Sequence, residues 1–289
     1  MIIVKCEQGS EAWLSARAGV ITASMFKVAR QRTGGLTEQQ QAYVNAIKSG
    51  KSDADALAVA GYKAKPKAAA IQAALEGRKV GEFSEAAKNY AFRVAIERIS
   101  GEPLDEGFQT WQMKRGQELE PMARARHEEE AWVVVQRAGL VLTDDRVFGA
   151  SADGLIGNDE GSEYKCLVSP EGLREILIND DIGEFIDQVQ GCLWITGRKR
   201  WHFGLYCPAL ASIGCDFTLK IVERDDDYIN ELESDLIEFK GLVDHYESKL
   251  RIGKCIKAAA AEILPEFIDS ETGEITHKQP SIALDAVAF

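Results

Sequence analysis

Asp153, Glu163 and Lys165 lie within residues 149–166, "GASADGLIGNDEGSEYKC", where a glycine-containing turn separates the aspartate from a Glu-Tyr-Lys tripeptide. On an extended strand, residues i and i+2 share a face, so Glu163 and Lys165 point together and Tyr164 points away. A hairpin closed at the turn brings Asp153 against the same face. Two adjacent carboxylates repel and are hard to keep ionised without a cation. Oxygen-only ligands of this kind suit Mg²⁺ or Mn²⁺. A neighbouring lysine then orients a water or stabilises charge developing on phosphorus. The chemistry is metal-assisted phosphodiester hydrolysis. The competing reading is a polar hairpin in an acidic protein, because Glu-x-Lys recurs at Glu238/Lys240 and Glu247/Lys249, where helical periodicity makes it a solvated face.

A second group has a different chemistry. Arg17 precedes a turn in which Thr22 and Ser24 stand where helix N-cap residues belong. A guanidinium beside free backbone N–H groups and hydroxyls makes a phosphate site; plain capping beside an exposed arginine is the alternative.

The elements that must position these groups are legible in outline. "EAWLSARAGVITASMFKVAR" reads as two helices with a break, and residues 84–101 and 110–131 as longer helices. A strand cluster follows in "WVVVQ", "GLVLT", "RVFGASADGLIG" and "SEYKCLVS". Residues 182–197 return to helix, and "RWHFGLYCP" and "CDFTLKIVER" alternate as paired strands. In residues 227–250, Leu232, Leu236, Phe239, Val243, Tyr246 and Leu250 form one apolar helix face, which closes a core or meets a subunit. The fold class is α/β (α+β). Residues 36–80 divide into three short helices, 37–48, 52–60 and 66–76, punctuated by Gly50, Gly61 and Pro66. Three short helices with tight turns suggest a helix-turn-helix unit.

Composition excludes several classes. The 289 residues hold six scattered cysteines with no C-x-x-C pair, which argues against a zinc ribbon or an iron–sulfur cluster. No apolar run approaches the roughly 20 residues that span a bilayer, and the N-terminus lacks a signal peptide's apolar region. A cytoplasmic protein is the expectation. The net charge is −12, but residues 27–93 hold 12 Lys and Arg against 6 Asp and Glu, leaving 22 against 40 elsewhere. An acidic body with a basic section still binds a polyanion locally.

Residues 149–166 are similar to the PD-(D/E)-x-K nuclease motif, and their surroundings resemble the phage lambda exonuclease family of viral recombination nucleases. The resemblance is carried, in the family's order, by "EAWLSARAGVITAS", "RGQELEPMAR", "ASADGL", "EYKC", "DQVQGCLWITGRKRWHFGLYCP" and "IVERDDDYI". Ala152 stands where the family's motif has a proline. The resemblance implies a restriction-endonuclease-like core, a central mixed sheet flanked by helices, over residues 1–255. It implies that Asp153, Glu163 and the Tyr164 carbonyl hold Mg²⁺, with Mn²⁺ substituting and two ions per site, and that Lys165 positions or activates the attacking water. Glu120, set by the Gly116–Glu120 spacing, would complete the acidic cluster in preference to Glu118. Gln188 matches the family's active-site glutamine, and Gln190 is a further DNA-contact candidate. Arg17, Thr22 and Ser24 would receive a 5′-terminal phosphate.

The implied activity is 5′→3′ digestion of one strand of linear double-stranded DNA to 5′-mononucleotides. It leaves 3′ tails for a single-strand annealing protein, and the enzyme would be a homotrimeric ring in the cytoplasm of a bacterial host. The alternatives are an endonuclease of the same fold and a non-catalytic DNA-binding adaptor. Residues 36–80 resemble the N-terminal helix-turn-helix of phage terminase small subunits, through Leu36-Thr37, Gln40, Tyr43-Val44 and Ala60-Gly61-Tyr62. Lys63, Lys65 and Lys67, with Arg78 and Lys79, are expected to contact duplex phosphates. Residues 256–289 read as an acidic tail suited to partner docking.

Overall fold

Parallel pairing of two strands needs a long crossover, and the segment between residues 165 and 200 provides one. The computed structural model describes residues 1–104, 110–263, 267–268 and 275–276. In chain order its elements begin with β1 (Ile2–Val4), α1 (Glu11–Arg17), β2 (Ile21–Thr22), a 3₁₀ turn at Ala23–Met25, α2 (Phe26–Ala29) and β3 (Arg32–Thr33). The insert helices α3 (Glu38–Lys48), α4 (Asp53–Ala60) and α5 (Ala69–Leu75) follow, closed by β4 (Glu82–Phe83). Then come α6 (Glu85–Ser100), α7 (Trp111–Ala131), β5 (Leu140–Leu142), β6 (Phe148–Ala150), β7 (Gly154–Ile156) and β8 (Glu160–Lys165). The chain continues through α8 (Pro170–Leu177), α9 (Ile186–Thr196), β9 (Arg200–Tyr206), β10 (Phe217–Glu223) and α10 (Asp226–Ile263).

One mixed sheet has the order β10-β9-β8-β7, with β8 and β9 parallel and the outer pairs antiparallel. A second has the order β1-β5-β6-β2. The main core gathers Phe26, Val94, Leu193, Trp201, Phe203, Leu232, Leu236, Phe239 and Val243 between α2, α6, α9, α10 and the sheets. The apolar face of α10 thus closes this core through Val243, while Leu250 is 37% exposed. Close approach of α9 to α2 requires Gly191, where a Cβ would stand 2.5 Å from the Phe26 ring.

The insert helices agree with the sequence reading. Thr37 closes a capping box with Gln40, Ser52 caps α4, and Gly61 ends it in the left-handed region at φ 70°. Tyr43, Val44, Ala56, Ile71 and Ala74 give the insert its own small core, and β3 pairs with β4 at its base.

Two expectations are corrected, and one element is added. "WVVVQ" is not a strand: Trp132 ends α7 in the left-handed region at φ 54°, and only Gln136 forms a bridge, to Leu155. Residues 170–177, unread in the sequence, form α8, started by the Ser169 cap and Pro170. Residues 256–263, expected in the tail, continue α10. Beyond them Phe267–Ile268 and Ile275–Thr276 pair as a two-stranded ribbon; the rest of the expected tail lies outside the described residues. No helix of the described residues is long and apolar enough to cross a membrane.

Candidate active site

The β7–β8 hairpin sets Gly154 opposite Ser162, so Asp153 arrives beside Glu163. The Asp153 carboxylate accepts the Tyr164 backbone N–H at 2.7 Å, which ties the aspartate to β8. Lys165 Nζ donates to Glu163 Oε1 at 2.7 Å and to Gln188 Oε1 at 3.0 Å, and Gln188 Nε2 donates to the same Glu163 oxygen at 2.7 Å. The Phe185 ring lies 5.2 Å from the ammonium. Strand β8 and the first turn of α9 therefore build one triangle of acid, ammonium and amide.

Its electrostatics are unbalanced. Asp153 and Glu163 are 9% and 5% exposed. Burial, then Glu163 and Glu120, holds the Asp153 carboxyl well above the usual carboxylate range. Burial works against the Lys165 charge, but Glu163 outweighs it and the ammonium pKa is raised. Glu163 Oε2 is buried without a hydrogen-bond partner among the described residues. Burial pushes the nearby Cys166 thiol up to about 11, and raises that of Cys192, so neither is a thiolate nucleophile.

Glu120, on α7, is raised by burial, with Glu163 adding to the effect, and its carboxylate accepts from Arg124 one turn on. Among the described residues no three His, Cys, Asp or Glu side chains already converge as a metal cluster. The donor set nevertheless fits a divalent cation. An orphan carboxylate oxygen, a desolvated second carboxylate and a third within electrostatic reach are what such an ion would neutralise.

Two clefts meet at Asp153. One of about 170 Å³ is lined by Arg17, Thr22, Ser24, Ser151, Asp153, Glu163, Lys165 and Gln188. The other, of about 240 Å³, is lined by Glu7, Gln8, Glu120, Arg137 and Asp153. In the first, Thr22 stands at the N-cap of the 3₁₀ turn but its side chain makes no cap hydrogen bond, and Ser24 lies within the turn; the two hydroxyls accept from Arg17 Nη2 at 2.9 and 3.1 Å. The guanidinium sits 4.9 Å from the Trp13 ring, whose Nε1 donates to Ser151 Oγ at 3.0 Å. Arg17 is thus held by neutral partners, and burial lowers its pKa. Trp13, Ser151 and Gln8 escaped the sequence reading. The available signals were the i, i+4 spacing of Trp13 and Arg17 on α1 and the position of Ser151 two residues before Asp153.

Other candidates are not brought here. Gln190 is 3% exposed; its amide donates to the Glu223 carbonyl at 3.0 Å and accepts from Asp225 N–H at 3.1 Å, so it tethers α9 to the end of β10. Lys63, Lys65 and Lys67 are exposed on the loop after α4, with Lys65 paired to Asp53 at 2.8 Å, and none lines either cleft. Arg78 pairs with Glu76, and Lys79 with Asp235.

Behind β8 the Tyr164 hydroxyl begins a buried chain. It meets His127 Nδ1 at 2.8 Å, His127 Nε2 meets His202 Nδ1 at 2.8 Å, and His202 Nε2 meets Glu160 at 2.9 Å. With the Glu160 carboxylate as final acceptor, only one direction of donation satisfies both neutral imidazoles. Burial, then His202, lowers the His127 pKa to about 4. Below the ordinary value near 6.5 the unfolded chain binds a proton that the folded chain refuses. Stability therefore falls as pH drops from about 6.5 to about 4, by about 3 kcal/mol from this group. Denaturant titrations of the protein and of His127→Gln across that range check this; the variant loses that part of the slope.

The sequence profile of the family described as "YqaJ-like viral recombinase domain" matches residues 12–199. Among solved structures, the chain is similar to the alkaline exonuclease LHK-Exo from Laribacter hongkongensis, with 26% identity over 87% of this chain and 100% of that one and a TM-score of 0.59. The complex of LHK-Exo with dAMP matches with 26% identity, the same coverage and a TM-score of 0.58. No curated protein sequence matches. The lambda-exonuclease-like resemblance and the restriction-endonuclease-like fold are thereby supported by independent comparisons, while the terminase resemblance of residues 36–80 rests on the sequence alone. With the profile spanning most of the chain, including α1, β7, β8 and α9, the protein belongs to the YqaJ-like viral recombinase domain family.

Proposed function

We propose that the protein is a recombination exonuclease that digests one strand of linear double-stranded DNA in the 5′→3′ direction, releasing 5′-mononucleotides. One observation carries this reading: Arg17, Thr22 and Ser24 share a single cleft with Asp153, Glu163, Lys165 and Gln188. A phosphate-binding group at fixed reach from a hydrolytic group sets how far from an end the backbone is cut. Membership of a viral recombinase family and likeness to an alkaline exonuclease support it.

Asp153 and Glu163, joined by Glu120 and the Tyr164 carbonyl, would hold Mg²⁺ or Mn²⁺, two ions per site. When bound, such ions neutralise the carboxylates and supply Lewis-acid stabilisation of charge on the phosphodiester. Lys165 stays an ammonium because Glu163 favours its charge. It therefore donates hydrogen bonds to the attacking water and to developing negative charge, rather than taking a proton. Gln188 fixes that donor by accepting from Lys165 while donating to Glu163. Arg17 holds the terminal phosphate of the nucleotide being removed, with Thr22 and Ser24 orienting its guanidinium.

Arg17→Ala is expected to remove the preference for 5′-phosphorylated over 5′-hydroxyl ends, at a cost of about 10-fold or more on phosphorylated ends from one charge-assisted contact. Steady-state kinetics on the two end types measures this, and a preference that survives the substitution contradicts the assignment. Circular duplex is expected to resist; cutting it would favour an endonuclease. In the insert, Lys63 and Lys67 contribute phosphate contacts. Reversing both to Glu should weaken duplex binding and flatten its salt dependence by about two phosphate contacts. The product tails suit a single-strand annealing protein as partner in a bacterial cytoplasm, with the enzyme acting as a homotrimeric ring.

A further inference from the structure

The first turn of α9 carries both side chains that flank the Lys165 ammonium, Phe185 and Gln188. A helix start leaves four backbone N–H groups without intrahelical partners, and a side-chain cap normally takes one. Here Phe185 occupies the N-cap position and, among the described residues, no side chain caps the helix. The turn is tied to the rest of the fold through Asp187.

Asp187, in the same turn, is 7% exposed. Arg30 Nη1 donates to Asp187 Oδ1 at 2.8 Å, and the Tyr228 hydroxyl donates to the same oxygen. Arg30 also grips α10: its Nε donates to Asp235 Oδ2 at 2.8 Å, and its guanidinium lies 5.6 Å from the Tyr228 ring. The other Asp235 oxygen takes Lys79 Nζ at 2.5 Å, and Lys79 also donates to Ser234 Oγ at 3.3 Å. Lys79 lies at the end of the insert. An unbroken run of charge pairs thus leads from insert to α10, to Arg30 after α2, to Asp187, one residue before Gln188. None of these four charged residues lines either cleft.

We propose that Arg30 and Asp187 are positioning residues for Gln188 and Phe185, and that the insert, through Lys79 and Asp235, is part of the same brace. The inference rests on the nuclease reading of the site, but its mechanical part does not. Remove the Arg30 charge and a buried carboxylate is left without a cation at an uncapped helix start. The turn then reorganises, and Gln188 loses its hold on Lys165. Misplacement by about 1 Å of a group that orients reacting atoms costs up to about 10²-fold in rate.

The test uses the full-length protein with Mg²⁺ and 5′-phosphorylated linear duplex. Arg30→Met is expected to lower the single-turnover rate about 10-fold or more with KM little changed, because Arg30 lines neither cleft and its guanidinium is engaged by Asp187 and Asp235. Arg30→Met combined with Asp187→Asn should be no slower than Arg30→Met alone, since the stranded charge is gone. Lys79→Met should lower the rate about 3-fold and Lys79→Arg restore it. Hydrogen exchange at the amides of residues 186–189 should quicken in Arg30→Met and Lys79→Met. If Arg30→Met does not fold, the double variant and Lys79→Met carry the test. Unchanged rates and exchange in folded variants would overturn the proposal, as would a loss confined to KM. If the wild-type protein cuts no duplex, the nuclease reading fails, and exchange at residues 186–189 still decides whether the brace exists.

Discussion

Lys165→Ala should lower the single-turnover rate by about 10³-fold while changing KM for duplex little. The ammonium makes two hydrogen bonds inside the site, to Glu163 and Gln188, and lies over the Phe185 ring. It is the only group of the triangle that donates with a full positive charge. Removing one preorganised donor aimed at developing charge typically costs about 10²–10³-fold, and loss of water positioning adds to it. The variant should also be less stable without metal, by about 3 kcal/mol, because it strands a buried carboxylate. Rapid-quench kinetics and a denaturant titration measure the two effects separately. Activity near that of the wild type would remove Lys165 from the mechanism.

Asp153→Asn should abolish hydrolysis, by about 10³-fold or more, and stabilise the metal-free protein. Burial and two neighbouring carboxylates raise the folded-state pKa of Asp153, so ionising it is costlier in the folded than in the unfolded chain. Metal-free stability consequently falls as pH rises above the usual carboxylate range, and the neutral amide removes that penalty. Asn retains an oxygen to accept the Tyr164 N–H, so the β7–β8 connection survives. Thermal melts in EDTA should show a higher Tm for the variant. Millimolar Mg²⁺ should raise the wild-type Tm, as any ligand selective for the folded state does, and should barely move the variant. A wild-type melt insensitive to Mg²⁺ and Mn²⁺ would contradict the metal-binding part of the account.

The sequence made the hairpin legible because period-two spacing fixes which of Glu163, Tyr164 and Lys165 share a face, whatever the rest of the chain does. The insert helices were legible for a similar reason: Thr37, Ser52 and Gly61 act locally on the backbone. Non-local pairing was not. "WVVVQ" has the composition of a strand, but a left-handed Trp132 and an exposed Val134 leave only Gln136 paired. Gln188 and Gln190 look equivalent in sequence, two residues apart on one helix. An advance of two residues turns about 200° around a helix axis, so one meets Lys165 and the other the end of β10. Ser151 and Trp13 needed β6 and α1 to be neighbours before they could be recognised. Of the charged residues, none announced that Arg30 would lie between Asp187 and Asp235, because all three come from distant segments.

If a 5′-phosphate pocket and a metal-dependent hydrolytic site act on one strand end, a linear duplex phosphorylated at a single 5′ end and labelled on each strand should show it when incubated with Mg²⁺ or EDTA. The phosphorylated strand should be lost from its 5′ end, as mononucleotides, in Mg²⁺ only. Loss of the opposite strand, internal cleavage, or degradation that persists in EDTA would contradict it.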